Sequence, residues 1–381
     1  MLRSGTRRWK DVDMLAAERR AMILALASEG GAVRIGDLVD RLGVSHVTVR
    51  RDLEGLVAEG ALDKVRGGAV LSADANDSSA LRGVRSGFSG TIGVVVPTSY
   101  YYRHVVDGIG AALEHSGAEM KLVISDYDLA EERRLVAEAV EDGAAGILMV
   151  PSVLEHEESS ELLDFLAALP VPVVLIEREL PGGGLGDITS VRSAHERGVF
   201  SAMRHLHDLG HRRVAMVSRG RTQSADFVRA GWVHARDVLG FDAESSIIGG
   251  EMLGFGPTWE RGGSNVVLDA IESTGATALF SHGDENSLFL LLQAARARGL
   301  SVPEDLSIVA YDDEVSAHAD PPLSAIAPDR ERVGELATRL LVEAIERPSN
   351  DTPLHIQVEP RLLVRSSTAA PRARGGRDAG S

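Results

Sequence analysis

From Thr91 onward the chain alternates short apolar runs with amphipathic stretches of helical length, and this alternation restricts the fold more than any other feature. Ile92-Gly93-Val94-Val95-Val96 precedes a helical stretch from about Arg103 to Ser116, and Lys121-Leu122-Val123-Ile124 precedes one from Leu129 to Asp142. Ile147-Leu148-Met149-Val150, a helix near 159–168 and Val171-Pro172-Val173-Val174-Leu175-Ile176 continue the series. Helices at 193–209, 224–239, 261–273, 286–298 and 330–346 then alternate with strands at 213–218, 246–249, 277–281 and 306–311. Continuous apolar strands are buried on both faces, as in a parallel sheet covered by helices on each side. The predicted fold is α/β, with enough elements for two doubly wound parallel sheets and hence two lobes. Ligands of such sheets sit beyond the carboxyl ends of the strands.

The first 71 residues follow a different rhythm. A helical run from Leu15 to Ala27 carries Ile23, Leu26 and Ala27 on one face, and Gly30-Gly31 stops it. Val33-Arg34-Ile35 suits a short strand and Asp37 to Leu42 a short helix, with Gly43 making a turn. Ser45 is placed to cap the next helix, on which Val49, Leu53 and Leu56 share an inward face. His46, Val47, Thr48, Arg50 and Arg51 are left facing outward. Small polar residues followed by guanidiniums suit a helix lying in a DNA major groove; an ordinary solvated face with an Arg pair is the plainer alternative. Ala61 to Val70 alternates around Gly67-Gly68 and reads as a β-hairpin that presents Lys64 and Arg66 to phosphates. The candidate DNA contacts are Ser45, His46, Thr48, Arg50, Arg51, Lys64 and Arg66.

Charge separates the two regions. The chain carries −16 overall, yet residues 1–72 hold 12 Lys and Arg against 10 Asp and Glu. The acidity therefore lies in the body, which would repel DNA unless a separate head makes the contact. Cysteine is absent, which excludes disulfides, Cys-based zinc sites and thiol nucleophiles. No stretch approaches the ~20 apolar residues of a membrane span, and the N-terminus has no apolar leader segment, so the expected location is the cytoplasm, away from membranes. The expected boundaries are a winged head at 15–71, a small-residue polar linker at 72–88, a two-lobed body at 89–367 and a disordered Pro/Arg/Gly tail at 368–381.

Residues just past each apolar run are the candidate ligand contacts: Tyr101 and Tyr102, Asp126, Glu177 with Arg178, Asp284, and Asp312 with Asp313. Aromatic rings cover the apolar face of a sugar, and carboxylates accept hydrogen bonds from its hydroxyls. Asp and Ser also collect at strand ends simply as caps, so each residue has a structural alternative.

Two resemblances sharpen this reading. Glu18-Arg19-Arg20, Val44-Ser45, Thr48-Val49-Arg50-Arg51-Asp52-Leu53 and Arg66-Gly67-Gly68-Ala69 resemble the winged helix-turn-helix of DeoR-type bacterial regulators over residues 17–71. Leu209-Gly210-His211-Arg212-Arg213-Val214-Ala215, Arg229-Ala230-Gly231-Trp232, Val302-Pro303-Glu304-Asp305-Leu306-Ser307, Tyr311-Asp312-Asp313 and Pro321-Pro322-Leu323-Ser324 resemble the effector-binding domain of LacI/GalR regulators over about 90–367. That domain is similar to periplasmic sugar-binding proteins. The resemblance implies two lobes joined by crossover strands and a small molecule, usually a sugar, in the cleft. It implies ligand roles for Tyr101, Tyr102, Arg229 and Asp312, with Glu177 where the family has Asp and Trp259 or Phe255 as a stacking wall. It also implies operator DNA as a partner and a homodimer. The LacI-type head and hinge helix are missing, so coupling between ligand and DNA cannot be carried over from either family.

An enzyme is the first alternative. His-Glu-x-x-His, the P-loop and Gly-x-Ser-x-Gly are all absent, and Gly182-Gly183-Gly184-Leu185-Gly186 opens no phosphate-binding helix. His205, His207 and His211 lie close in sequence, but Gly210 ends their helix, and neither metal nor cofactor is expected. A transport binding protein would need export and would have no use for the head. The reading is a ligand-responsive regulator, a repressor by resemblance.

Overall fold

The computed structural model describes residues 19, 23, 26–27, 32–42, 44–58, 62–65, 68–71, 88–114, 117–153, 156–180, 188–218, 222–248, 263–283, 285–348 and 352–372. Contacts divide the chain into two compact units, 1–83 and 84–381.

In the first unit, β1 (Ala32–Arg34), α1 (Ile35–Leu42), α2 (His46–Ala58), β2 (Leu62–Val65) and β3 (Gly68–Leu71) follow in order. The strands form one antiparallel sheet, β1-β3-β2. Ile23, Ala27, Leu38, Leu42, Val49, Leu53, Leu56, Leu62 and Ala69 make one core, so the inward face expected for α2 is the buried one. α1 begins at Ile35, two residues earlier than expected, directly out of β1. Gly68 lies against β1 so closely that an added Cβ would fall onto the Val33 carbonyl, which requires glycine there.

The second unit has two sheets. In the amino-terminal lobe β4 (Thr91–Val96), β5 (Glu119–Ile124), β6 (Ala144–Met149), β7 (Val173–Ile176), β8 (Ser190–Ser193) and β14 (His355–Val358) form a fully parallel sheet, order β14-β8-β7-β6-β4-β5. α3 (Ser99–Leu113) and α10 (Arg330–Glu346) cover one face, through Tyr102, Val105, Ile109, Val333, Ala337 and Leu341. α4 (Leu129–Glu141) and α5 (His156–Ala167) cover the other. Ile92, Val94 and Val96 go to the first core and Val95 to the second, which is why this strand is a continuous apolar run.

The carboxy-terminal lobe repeats the plan, with β9 (Val214–Ser218), β10 (Ile247–Ile248), β11 (Ala278–His282), β12 (Ser307–Tyr311), β13 (Ser324–Ala327) and β15 (Arg361–Leu363) in the order β10-β9-β11-β12-β13-β15. Only β15 runs antiparallel. α6 (His195–Asp208) and α7 (Gln223–Leu239) pack on one face around Trp232, and α8 (Ser264–Thr274) and α9 (Glu285–Ala297) on the other.

The chain crosses between lobes three times: from β8 into α6, from β13 into α10, and from β14 into β15. Four short strands, β8, β13, β14 and β15, were not expected from the sequence. None is a long apolar run, and each sits at or beside a crossing. Residues 368–372, expected as the start of a disordered tail, are ordered. His205 Nε2 meets Thr368 Oγ1 at 3.0 Å, His211 Nε2 meets the Ala369 carbonyl at 2.9 Å, and Arg372 pairs with Asp305 at 2.9 Å.

Candidate functional site

In the head, the Ser45 carbonyl accepts from Val49 N at 3.0 Å and the Ser45 hydroxyl accepts from Thr48 N at 3.1 Å. Ser45 therefore caps α2 and its hydroxyl is committed to the helix. His46, Arg50 and Arg51 are exposed and Val47 is 78% exposed, so the outward face of α2 is free within this unit. Asp52 turns inward instead: it is buried and accepts from Arg19 Nε at 2.8 Å, tying α2 to the preceding helical segment. On the hairpin, Lys64 is exposed, with Nζ 3.8 Å from Glu54 Oε1. Arg66 lies outside the described residues.

In the body, a cleft of about 750 Å³ opens where the carboxyl ends of both sheets face each other. Thr98, Tyr101, Tyr102, Tyr127 and Arg178 line it from the amino-terminal lobe. Thr222, Ser224, Ser281, His282, Tyr311, Asp312, Glu314 and Ser316 line it from the other. Among the described residues, four that are not glycine have positive φ: Asp126 (51°) and Tyr127 (63°) after β5, Glu177 (57°) after β7, and Asp312 (85°) after β12. Such backbone costs energy and gathers at functional sites; here all four lie at strand ends.

Tyr101 and Tyr102 sit edge to face with centroids 5.0 Å apart. Burial pushes the Tyr102 hydroxyl up to about 12, with Arg178 opposing the shift, and pushes Tyr101 well above its ordinary value, helped by the charge of Asp312. Both remain neutral hydrogen-bonding groups. The Asp312 carboxylate is paired with Arg330, whose other nitrogen reaches Glu314 at 2.7 Å and whose guanidinium lies over the Tyr101 ring at 4.5 Å. Burial alone would lower the Arg330 pKa; Asp312, Tyr101 and Glu177 together outweigh it and hold the guanidinium charged. Arg330 begins α10 at the second crossing, so one buried cation ties both lobes to a cleft carboxylate.

Three expected contacts stand elsewhere. Asp126 is exposed and outside the cleft lining; the turn after β5 presents its neighbour Tyr127 instead. Glu177 is buried behind the wall, where its carboxylate accepts from Ser193 N at 2.9 Å and Ser193 Oγ at 2.8 Å. His195 Nε2 stands 3.6 Å from it. The extra methylene that distinguishes Glu from Asp is used to reach β8 and the first crossing. Arg229 pairs with Asp226 and donates to Ser218 Oγ at 3.2 Å, and does not line the cleft. Trp259, Phe255 and Asp284 lie outside the described residues, as does the glycine-rich segment 182–186. Tyr127, Thr222, Ser281, His282, Tyr311 and Glu314 were missed. Tyr311 is the last residue of the apolar run of β12, and strand ends are where such residues face a cleft.

A family model described as a DeoR-like helix-turn-helix domain matches residues 19–74, and one described as a periplasmic binding protein-like domain matches 203–368. The chain joins a DeoR-like helix-turn-helix domain to a periplasmic binding protein-like domain, the arrangement of a DNA-binding transcriptional regulator. Among curated relatives, this regulator is 26% identical to the HTH-type transcriptional regulator DegA of Bacillus subtilis, over 88% of its length and 98% of DegA. It is 29% identical to the HTH-type transcriptional regulator MalR of Streptomyces coelicolor, over 90% of its length and 98% of MalR. Among solved structures it superposes on a LacI family regulator from Enterococcus faecium with bound ribose (24% identity, TM-score 0.58, 74% of this chain and 99% of that one). It also superposes on the LacI family regulator CCPA of Weissella paramesenteroides with bound sucrose (22% identity, TM-score 0.60, 74% and 99%). At these identities the structures speak for the fold of the body. No described helix is long and apolar enough to cross a membrane.

Proposed function

We propose that this regulator is a sugar-responsive repressor, acting as a homodimer on operator DNA in the cytoplasm. Its work is binding rather than turnover. The observation that carries the reading is the cleft: one cavity lined from both lobes by tyrosines, hydroxyls and Asp312, in a chain that also exposes Arg50 and Arg51 on a capped head helix. Flat rings beside hydroxyl and carboxylate acceptors suit a polyhydroxylated molecule. Relatives support that class: one is named an arabinose metabolism transcriptional repressor, and two solved neighbours hold ribose and sucrose.

A ligand that touches both lobes binds one lobe angle better than another, and that difference in affinity shifts the population. In a dimer the lobe angle would set the spacing of two heads against half-sites roughly 34 Å apart. His46, Thr48, Arg50 and Arg51 are the contacts proposed on α2, with Lys64 and Arg66 on the hairpin. Tyr101, Tyr102 and Asp312 are the ligand contacts retained, and Tyr127 joins them.

The test starts with DNA sites selected from a random-sequence library. Fluorescence anisotropy on such a site is expected to show affinity falling steeply with salt. Arg51→Ala should weaken binding and reduce the salt slope by about 0.9. A sugar of the matching stereochemistry should change DNA affinity in the native chain and leave Asp312→Ala unaffected. An unchanged slope in R51A sinks the head assignment, and a full sugar response in D312A sinks the cleft assignment.

A further inference from the structure

The outward face of α2 presents an apolar side chain among its charges. Val47 is 78% exposed, more than any other large apolar residue described. It lies in the first turn, one residue after the helix begins at His46. Its branched side chain is a poor helix former and buries little surface against the head. Single exposed valines are common on protein surfaces; this one stands on the face that the head offers to DNA. Three and four residues on are Arg50 and Arg51, both exposed, and side chains at that spacing share one helix face. Val47 and the two guanidiniums therefore form one surface, and the first turn carries no acidic residue. The neighbouring hydroxyls are engaged with each other: Ser45 Oγ accepts from Thr48 N at 3.1 Å and lies 2.9 Å from Thr48 Oγ1. Val49 points the other way, into the core.

An exposed valine beside two arginines suits a partner that is anionic at its rim and apolar at one point within. The DNA major groove is such a partner: phosphates border it, and the 5-methyl group of thymine is the apolar group among its base edges. Residues at the amino-terminal end of a recognition helix are those that reach base edges. We propose that Val47 reads thymine, packing its two methyl groups against the 5-methyl of one thymine in the half-site under α2. The inference rests on the DNA-binding reading of the head and adds a specificity residue to the polar contacts named above. An arginine on a phosphate sets affinity and register without reading sequence. The methyl contact discriminates, because cytosine carries only a hydrogen at that carbon.

Fluorescence anisotropy of the full chain on a duplex selected from a random-sequence library tests this. Each thymine of the duplex is replaced in turn by deoxyuridine, which keeps the base pair and the O4 acceptor and removes only the methyl. The native chain is expected to lose about fourfold in affinity at one thymine position, the worth of one buried methyl-sized group. Val47→Ala should bind the thymine duplex about as weakly as the native chain binds that deoxyuridine duplex, and should no longer distinguish the two. Its salt slope should match that of the native chain, because no phosphate contact is lost, in contrast to R51A. Val47 is exposed, so V47A is expected to keep the native melting temperature, which separates a lost contact from a lost fold. A native chain that binds with the expected salt dependence, yet treats every deoxyuridine duplex like the thymine duplex, overturns the proposal. So does a V47A chain that still discriminates where the native chain does. Either result leaves the DNA-binding head standing, whereas native binding that ignores salt sinks the head assignment and this inference with it.

Discussion

Glu177 and Asp312 show how one residue class divides its work at a strand end. Both are carboxylates at positive φ, one after β7 and one after β12. Asp312 faces the cleft, whereas Glu177 is sealed behind it against Ser193 and His195. Burial on its own would raise the Glu177 pKa, but His195 and the Ser193 hydrogen bonds outweigh it and hold the carboxyl below its ordinary value. A folded value below the unfolded one contributes stability that is complete above the ordinary carboxylate range, and it is lost as pH falls through that range. Glu177→Gln places an amide N–H₂ against the donors of Ser193, so urea unfolding at pH 7 is expected to show a loss of about 1–3 kcal/mol. At pH 4 the gap between variant and native chain should narrow. A gap of equal size at both pH values would mean that the carboxylate charge is irrelevant there.

At the scale of elements, the pairing of α3 with α10 holds the amino-terminal lobe to the second crossing. An added Cβ on Gly108 would fall onto the Glu331 carbonyl, and one on Gly334 onto the Val105 carbonyl. The two helices therefore touch backbone to backbone. Gly334→Ala is expected to destabilise the body by about 1–3 kcal/mol through overpacking, read as a lower urea midpoint with the head unaffected. Residues 368–372 act as a second brace. Ala369 exchanges bonds of 3.1 Å with the buried Ser307 hydroxyl and meets His211 Nε2 at 2.9 Å. Truncation after residue 367 leaves Ser307 and His211 short of partners, at about 1–3 kcal/mol for each group left unpaired. Truncation after residue 372 should leave the melting temperature unchanged, which separates the brace from the residues beyond it.

At the scale of the molecule, head and body each have their own hydrophobic core and fall into separate compact units. Scanning calorimetry is expected to resolve two transitions. A cleft ligand at a hundredfold excess over its dissociation constant should stabilise the body by about 2.7 kcal/mol and leave the head transition in place. A ligand that moved both together would show that the two units unfold as one.

The local rules that need only neighbouring residues were legible from the sequence. Apolar period placed β4, β6, β7, β9, β11 and β12 and the long helices, because an apolar run or a 3.6-residue stripe is written within a few residues of chain. Ser45 as a cap, the inward Val49–Leu53–Leu56 face and the exposed Arg50 and Arg51 follow from the same short-range chemistry. Features that depend on distant parts of the chain were not legible. β8, β13, β14 and β15 become strands because the chain crosses between lobes and finds an edge to pair with, not because their own residues demand it. Which residue of a strand-end pair turns into the cleft was likewise decided by the backbone at the turn: Tyr127 rather than Asp126, and Arg178 rather than Glu177. Strand-end chemistry could identify the pairs, but direction in space is a property of the packed sheets. The partner of each buried charge is such a property too, as Arg330 shows: its carboxylates, Asp312 and Glu314, reach it only across the crossing.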